Sequence, residues 1–367
     1  MVLSARRRSP RLGRHPTVLW VVPVSELGGV ARHVLDVAAV GLPGWRLIVL
    51  CPEGELAYRL RGAGAAVVTG AFGPAAGFAA SVRTLRRQIA AVQPDVVHAH
   101  LAYADVAAAV VSVWTGARLA TTEHGIAAID SLYHGSRRRA RFARIAHHGR
   151  LRGTDVAIAV SEATKRAMVQ KWRPRTEPVV IPNGVDAPAV RQNDTVHEPR
   201  SEGTRVLSLS RLSPEKRLPE LLHAFAELRR LDPNARLIVA GEGPERAAAE
   251  AMAKALGLEG AVTFPGFVDS TEAMGNADVI VQLSAWENCS YTLLDAVAAG
   301  LGVVATPVGG NPEILPPGCL APAADARAVA TAILRQAGSD ARPALPDGWP
   351  TREEMAARIV AAYGMLL

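Results

Sequence analysis

The 367-residue chain has only three cysteines, Cys51, Cys289 and Cys319, far apart and odd in number. Neither a disulfide framework nor a cysteine metal site fits that spacing, and a reduced, cytoplasmic interior is the simple reading. Aromatic residues make up 5% of the chain and nowhere interleave with basic ones. That argues against a base-stacking surface and so against a nucleic-acid partner. No apolar run approaches the ~20 residues of a membrane-spanning helix. There is no His-Glu-x-x-His, no Asp-x-Asp and no P-loop, so metal-dependent hydrolysis and Walker-type nucleotide binding find no support. No repeat of 20–50 residues is visible, which excludes a solenoid.

What is present is the composition of a folded soluble protein: 49% hydrophobic and 20% charged residues. The length is too great for one ordinary core and suits two domains. A net charge of +7 favours acidic partners: phosphates, anionic lipid or nucleic acid. Charge alone does not choose among them. The start is Arg-rich and precedes an apolar run over 18–24. That run is too short for a signal peptide, and Ser25-Glu-Leu-Gly-Gly29 follows in place of a cleavage site. Residues 1–15 read as a disordered basic tail and the run as a first strand.

Apolar runs alternate with helical patterns, which predicts parallel sheets with crossover helices. In the first half, strands are predicted at 17–24, 46–50, 66–69, 95–98, 118–122, 156–160 and 179–181, with helices between them, for example at 77–91 and 161–172. The periodicity is then lost between 187 and 204, where Pro188, Pro199 and Gly203 accumulate. The pattern restarts with strands at 205–210, 235–240, 261–264, 278–283 and 302–306. Pro219 suits the first turn of a helix running to Arg230. A Pro-rich stretch over 343–350 precedes a last helix at 351–366. The expected organisation is an N-terminal domain at 16–187, a linker at 188–204, a C-terminal domain at 205–345 and a terminal segment at 346–367.

In open α/β sheets ligands bind beyond the carboxyl ends of the strands. In the first half those positions hold Gly28-Gly29, His98-Ala-His100 and Glu123-His124-Gly125. In the second half they hold Arg211-Leu-Ser-Pro-Glu-Lys216, Gly241-Glu242-Gly-Pro, Gly266-Phe-Val268, Glu287 and Gly309-Gly310. Arg211 and Lys216 suit a diphosphate, one as a planar fork and one as a mobile point charge; solvated cations are the plain alternative. Gly28-Gly29 lets backbone approach a phosphate or sugar closely, or makes a simple turn. His124 is a donor to a sugar hydroxyl, a catalytic prop or a structural histidine. Glu287 precedes a helix that opens near Tyr291, and Asp295 is expected two turns along it. The free N–H groups of such a helix start attract phosphate. Glu287 and Asp295 are either a general acid–base pair, with Glu287 a catalytic candidate, or a cap and a solvated helix face, and as two isolated acids the second is simpler. Gly241-Glu-Gly-Pro-Glu-Arg246 matches half of a dinucleotide fingerprint and lacks its third glycine.

Taken in order, these motifs resemble those of retaining glycosyltransferases of family 4, with the GT-B fold. The resemblance runs from residue 17 to the C-terminus. It rests on the Gly28-Gly29 loop, Thr122-Glu-His-Gly125, Val160-Ser-Glu162, Ile181-Pro-Asn-Gly-Val-Asp186, Arg211-x4-Lys216, Gly241-Glu-Gly-Pro244, Phe264-Pro-Gly-Phe-Val268, and Glu287-x7-Asp295 followed by Ala296-Val-Ala-Ala-Gly300. Each motif is weak alone; the set in this order is specific.

The resemblance implies two facing Rossmann-like domains with doubly wound parallel sheets and a cleft between them, the last helix crossing back onto the first domain. It implies a UDP- or GDP-sugar donor, a hexose-type sugar, and a cell-surface glycan, lipid-linked oligosaccharide or glycolipid acceptor, with no cofactor and no metal. It implies that Arg211 and Lys216, backbone near Thr292 and Leu293, and Gly28-Gly29 meet the donor diphosphate. Glu287 would contact the donor sugar and Asp295 the ribose. Val268, Gly241 and Glu242 would lie by the base, and His124 near the reaction centre. Two departures stand out. Asp295 occupies a position where the family usually has Glu, and Asn288-Cys-Ser-Tyr291 replaces the usual Gly-aromatic-Gly run. A GT-B sugar-nucleotide epimerase and a non-catalytic sugar-nucleotide-binding partner are the alternatives. Finally, residues 136–152 carry Arg137, Arg138, Arg139, Arg141, Arg144, Arg150 and Arg152. This stretch is expected either to press against an anionic membrane, on the inner face, or to be a solvated helix face.

Overall fold

The computed structural model describes residues 14–126, 148–186 and 203–366. The basic tail up to 13, residues 136–147 of the arginine-rich stretch and residues 188–202 of the expected linker lie outside the described residues. Two compact units form: one from the described residues up to Gly184 together with Pro350 onward, the other from Val185 to Trp349.

The first unit alternates strand and helix: β1 (Thr17–Val21), α1 (Gly29–Val40), β2 (Arg46–Cys51), α2 (Glu55–Gly62), β3 (Val67–Thr69), α3 (Phe78–Val92), β4 (Val96–His100), α4 (Ala102–Thr115), β5 (Arg118–Glu123), β6 (Val156–Ala159), α5 (Glu162–Trp172) and β7 (Val179–Val180). The sheet order is β3-β2-β1-β4-β5-β6-β7, with every pair parallel. Every residue of β1 is buried, which explains the continuous apolar run: a sheet covered on both faces leaves no polar side. The strand expected to reach 24 stops at Val21. Val22 still donates to the Leu50 carbonyl at 2.9 Å, but Pro23 has no N–H to continue the ladder.

The C-terminal helix (Arg352–Gly364) belongs to this unit and opens with a capping box. Thr351 N donates to Glu354 Oε2 at 2.9 Å, and Glu354 N donates to Thr351 Oγ1 at 3.1 Å. Met355, Ala356, Ile359, Ala362 and Tyr363 recur at helical spacing and are buried in one cluster with Val18, Trp20, Val34 and Val37.

Arg150 corrects the reading of the basic stretch as a single outward face. Its side chain is 1% exposed and pairs with Asp105 and, at 2.6 Å, with Glu123. Its guanidinium also lies 5.0 Å from the ring centroid of Trp172. A cation so removed from water requires compensation, and two acids and an aromatic face supply it. The spacing of arginines gave no sign that one of them closes a core network.

The second unit contains β8 (Arg205–Leu209), α6 (Leu218–Leu231), β9 (Arg236–Ala240), α7 (Arg246–Ala255), β10 (Val262–Gly266), α8 (Ser270–Gly275), β11 (Val279–Gln282), α9 (Tyr291–Ala298), β12 (Gly302–Ala305), α10 (Asn311–Ile314) and α11 (Ala326–Ala337). Its parallel sheet has the order β10-β9-β8-β11-β12. Pro265 sits on edge strand β10, where register shifts between Thr263 and Gly266, a place where a missing donor is tolerated. Leu218, Leu221, Leu222, Phe225 and Leu228 of α6 share a core with Val329, Ala330 and Ile333 of α11. Both units are thus Rossmann-like, and both sheets reverse their winding once: between β1 and β4, and between β8 and β11. Such reversals open a crevice at the strands' carboxyl ends.

Candidate functional site

In the second unit, the loops leaving β8 and β11 flank the reversal. The β8 loop carries Arg211 to Lys216 and ends in a single 3-10 turn over Pro214–Lys216. Glu215 turns inward. Its carboxylate accepts from Ser213 Oγ at 2.7 Å and Arg211 Nη2 at 3.3 Å, and its carbonyl accepts from Ala285 N at 2.7 Å. That last bond ties the β8 loop to the β11 loop. Arg211 is anchored at this point yet leaves its side chain 72% exposed.

Glu287 is the hub of the β11 loop. Its Oε1 accepts from Gln282 Nε2 at 3.1 Å, from Ser284 Oγ at 2.8 Å and from the Lys216 ammonium. Lys216 and Glu287 keep 15% and 13% of their side-chain surface exposed, so they form a largely desolvated ion pair across the reversal. All three of these bonds fall on one carboxylate oxygen. Gln282 and Ser284 were not assigned a role from sequence; a polar residue closing an apolar strand was the available signal.

Gly309 holds this loop in shape. Its φ is +53°, and a Cβ there would lie 1.6 Å from the Glu287 carbonyl oxygen. Only glycine fits. Thr306 Oγ1 donates to the Ser284 carbonyl at 2.6 Å from the same side. Helix α9 follows, with Ser290 as N-cap accepting from Leu293 N at a long 3.4 Å. Thr292 Oγ1 reaches the Leu209 carbonyl at 3.5 Å. Because α9 opens at Tyr291, Asp295 stands little more than one turn in, closer to the helix start than the two turns expected.

The ends of β9 and β10 are stitched to the same loop. Gly241 has φ +129°, and a Cβ on it would lie 1.9 Å from the Ser210 carbonyl oxygen. Gly241 N donates to the Gly266 carbonyl at 2.8 Å, and Leu212 N to that of Glu242 at 2.9 Å. Glu242 pairs with Arg246 at 2.7 Å. Val268 is half-buried just past this junction, beside Phe267, which is 77% exposed. The structure therefore brings Arg211, Lys216, Gly241, Glu242, Glu287, Thr292 and Leu293 to one rim of the second unit.

In the first unit Gly28 caps α1 without a side-chain bond, and neither Gly28 nor Gly29 has anything within 4 Å of a would-be Cβ. The unit itself does not require glycine there. His124 follows β5 and meets His100 of β4, Nε2 to Nδ1, at 2.9 Å. His33 of α1 stands edge-on to His124, with ring centroids 4.7 Å apart. His98 is engaged at both nitrogens, by Tyr363 Oη and by Thr122 Oγ1 at 2.8 Å. Burial lowers all four imidazoles: His33 to about 4, and His98, His100 and His124 well below their usual value, with neighbouring imidazoles adding to the effect for the latter three. They stand neutral at the reversal between β1 and β4. His33 escaped the sequence reading because it lies mid-helix, away from any strand end.

Two family profiles match the chain: Glycosyltransferase Family 4 over residues 27–187 and Glycosyl transferases group 1 over residues 190–337. An alpha-monoglucosyldiacylglycerol synthase of Streptococcus pneumoniae is 31% identical over 180 residues, 45% of this chain and 40% of that protein. A GDP-mannose-dependent alpha-(1-6)-phosphatidylinositol monomannoside mannosyltransferase of Mycobacterium tuberculosis is 31% identical over 177 residues, 44% of this chain and 46% of its own. The chain spans about two fifths of the length of the curated relatives it matches. Among solved structures, Anabaena HepE in complex with UDP and glucose has a TM-score of 0.74 at 23% identity, over 96% of this chain and 95% of that one. Sucrose-phosphate synthase from Thermosynechococcus elongatus has a TM-score of 0.71 at 20% identity, over 95% and 94%. No helix among the described residues is long and apolar enough to cross a membrane.

Proposed function

We propose, since the chain belongs to the family 4 glycosyltransferases with the GT-B fold, that it transfers a hexose-type sugar from a nucleoside diphosphate sugar, with retention and without a metal ion, to a glycan, lipid-linked oligosaccharide or glycolipid. The observation that carries this reading is the Lys216–Glu287 pair across the β8/β11 reversal. Without donor the two charges satisfy each other. An arriving diphosphate competes for the ammonium, and Glu287 is then released toward the hydroxyls of the sugar. Negative charge grows on the leaving diphosphate as the glycosidic bond breaks. Lys216, Arg211 and the start of α9 already face that charge, so they favour the transition state over the bound substrate. Retention without a protein nucleophile follows the family's front-face displacement, in which the departing phosphate helps to take the acceptor's proton.

In this reading Asp295 holds the ribose, while Gly241, Glu242 and Val268 lie by the base. Gly28 and Gly29 leave room for phosphate, and His124 stands by the reacting carbon. Relatives named for a GDP-mannose donor and a neighbour holding UDP support a nucleotide-sugar donor. Relatives named for glycolipids support a lipid-linked acceptor. Such an acceptor would be met at an anionic membrane by arginines of 137–152 other than Arg150.

Calorimetry with UDP, GDP and ADP, followed by turnover with the matching sugar donors, tests the assignment. One nucleoside diphosphate is expected to bind in preference, and its sugar to be transferred with an unchanged anomeric configuration by NMR. Turnover is expected to survive exhaustive chelation. No nucleoside diphosphate binding at all overturns the reading; activity lost to chelator and restored by manganese or magnesium overturns its metal-free form.

Gly309→Ala probes the same loop from behind. The added methyl must displace the Glu287 backbone, so the affinity for the preferred diphosphate is expected to fall about tenfold, the equivalent of ~1.4 kcal/mol. Far-UV circular dichroism is expected to stay that of the parent. An unchanged affinity would mean that the shape of this loop does not govern binding.

A further inference from the structure

The histidines of the first unit form a cluster from which the reading above uses only His124. His33, His100 and His124 come from α1, β4 and the turn after β5, and one ring nitrogen of each lies within 4.8 Å of the other two. No sequence spacing announces the group, because three separate elements supply it. We propose that these three imidazoles form a binding site for a divalent transition metal of the zinc class.

Three observations converge on this. First, the spacing is close to what the ion needs. Zinc–nitrogen bonds of about 2.0–2.1 Å place tetrahedral ligand atoms about 3.4 Å apart. The His100–His124 pair is already at 2.9 Å, and no other pair must close by more than about 1.4 Å to reach that tetrahedral spacing. Second, His33 has its tautomer fixed. The Asn183 oxygen can only accept, so His33 Nδ1 carries the proton that bridges them at 3.3 Å, and Nε2 keeps its lone pair. An outer hydrogen bond of this kind is how ligating histidines are oriented. Third, His100 Nε2 is buried with no hydrogen-bond partner among the described residues. Nε2 can therefore take the ring's proton when Nδ1, the atom that faces His124, offers its lone pair to a metal.

His98 marks the boundary of the site. It lies in the same cluster but spends both nitrogens on Tyr363 and Thr122. Trp20 packs against the group, its ring 4.4 Å from that of His100 and 5.7 Å from that of His33. Binding balances without net loss of a proton from the rings. The hydrogen bond between His100 and His124 places one proton on one of the facing nitrogens; on metal entry that ring moves its proton to its other nitrogen and offers the lone pair. Three neutral ligands leave the full double charge, so the fourth position takes hydroxide or another anion. Zinc, copper, nickel and cobalt all accept imidazole nitrogen.

The test uses the full chain, stripped of metal by chelation and dialysis. Cobalt(II) is titrated in and followed by its visible absorption, then displaced with zinc(II). One equivalent per chain is expected, with the intense d–d bands of a four-coordinate ion. X-ray absorption on the zinc form is expected to count three imidazoles. His33→Asn and His100→Gln are each expected to weaken zinc binding about 10- to 100-fold or more, the loss typical when a metal's ligand shell is disturbed. His223→Asn, on the exposed face of α6, is expected to leave it unchanged. Zinc is also expected to raise the thermal midpoint of the parent, since it binds only the folded form, and to do so less in the two site variants. Both buried variants are checked by circular dichroism. Where one fails to fold, the absorption count on the parent decides. Fewer than three imidazoles, no saturable binding, or undiminished affinity in folded variants overturns the proposal. None of these outcomes bears on nucleotide binding by the second unit, so the two readings fail separately.

Discussion

Lys216→Ala is expected to weaken binding of the preferred nucleoside diphosphate about 10- to 100-fold, and Arg211→Ala less. A charge-assisted hydrogen bond is worth about 1.5–3 kcal/mol, and the two cations differ in how much of that survives. Lys216 is 15% exposed and held in place by Glu287 and Ser284. It presents its charge with little further loss of freedom in a weakly screened setting. Arg211 is 72% exposed, so water screens it and its side chain must be ordered on binding. The apo proteins are expected to separate as well. Removing Lys216 strips Glu287 of its cation and leaves, among the described residues, Gln282 and Ser284 to satisfy it, so the thermal midpoint is expected to drop. Removing Arg211 leaves Glu215 bonded to Ser213 and is expected to change the midpoint little. Calorimetry and thermal scans on both variants provide the check. Parental diphosphate affinity in both would remove the diphosphate from this loop.

The contrast between the two cations shows where sequence reading ends. Both stood out equally as basic residues between a strand and a Pro-started helix. Only packing distinguishes the recessed, paired lysine from the exposed arginine. The strands were legible because parallel sheets bury both faces and so write themselves as unbroken apolar runs; each of the twelve predicted strands overlaps an observed one. The strand ends were legible for the same reason, and with them the loops around Arg211, Gly241 and Glu287. What stayed hidden depends on contacts between distant segments. Arg150 looked like one of seven surface arginines until Asp105 and Glu123, brought in by α4 and β5, enclosed it. His33 drew no notice in the sequence, and only the fold, through β4 and the turn after β5, sets His100 and His124 beside it. Period and composition report which face of an element is buried. They do not report which buried polar groups meet.

Glu287→Ala is expected to lower kcat by about 10²–10³-fold, the scale of removing one preorganised polar group from a reacting centre. Bare nucleoside diphosphate is expected to bind the variant as well as the parent or more tightly. The reason lies in the ground state: without donor, Glu287 is the acceptor that occupies Lys216, and deleting it frees the ammonium for phosphate. In the proposed reading the same deletion also removes the carboxylate assigned to the sugar hydroxyls, and that loss is expected only when sugar is transferred. Asp295→Ala is expected to act differently. From little more than one turn inside α9, it is assigned to the ribose, which is present in donor and bare diphosphate alike. Its loss is therefore expected to raise the donor KM and weaken the bare diphosphate together, with kcat less affected. Asp295→Glu restores the residue usual in the family and is expected to be tolerated. Initial rates with the sugar donor, set beside calorimetry with the bare diphosphate, separate the two acids. If both alanine variants lose the same factor in both measurements, the division between a sugar-facing Glu287 and a ribose-facing Asp295 is wrong, and the two carboxylates act on the nucleotide as one.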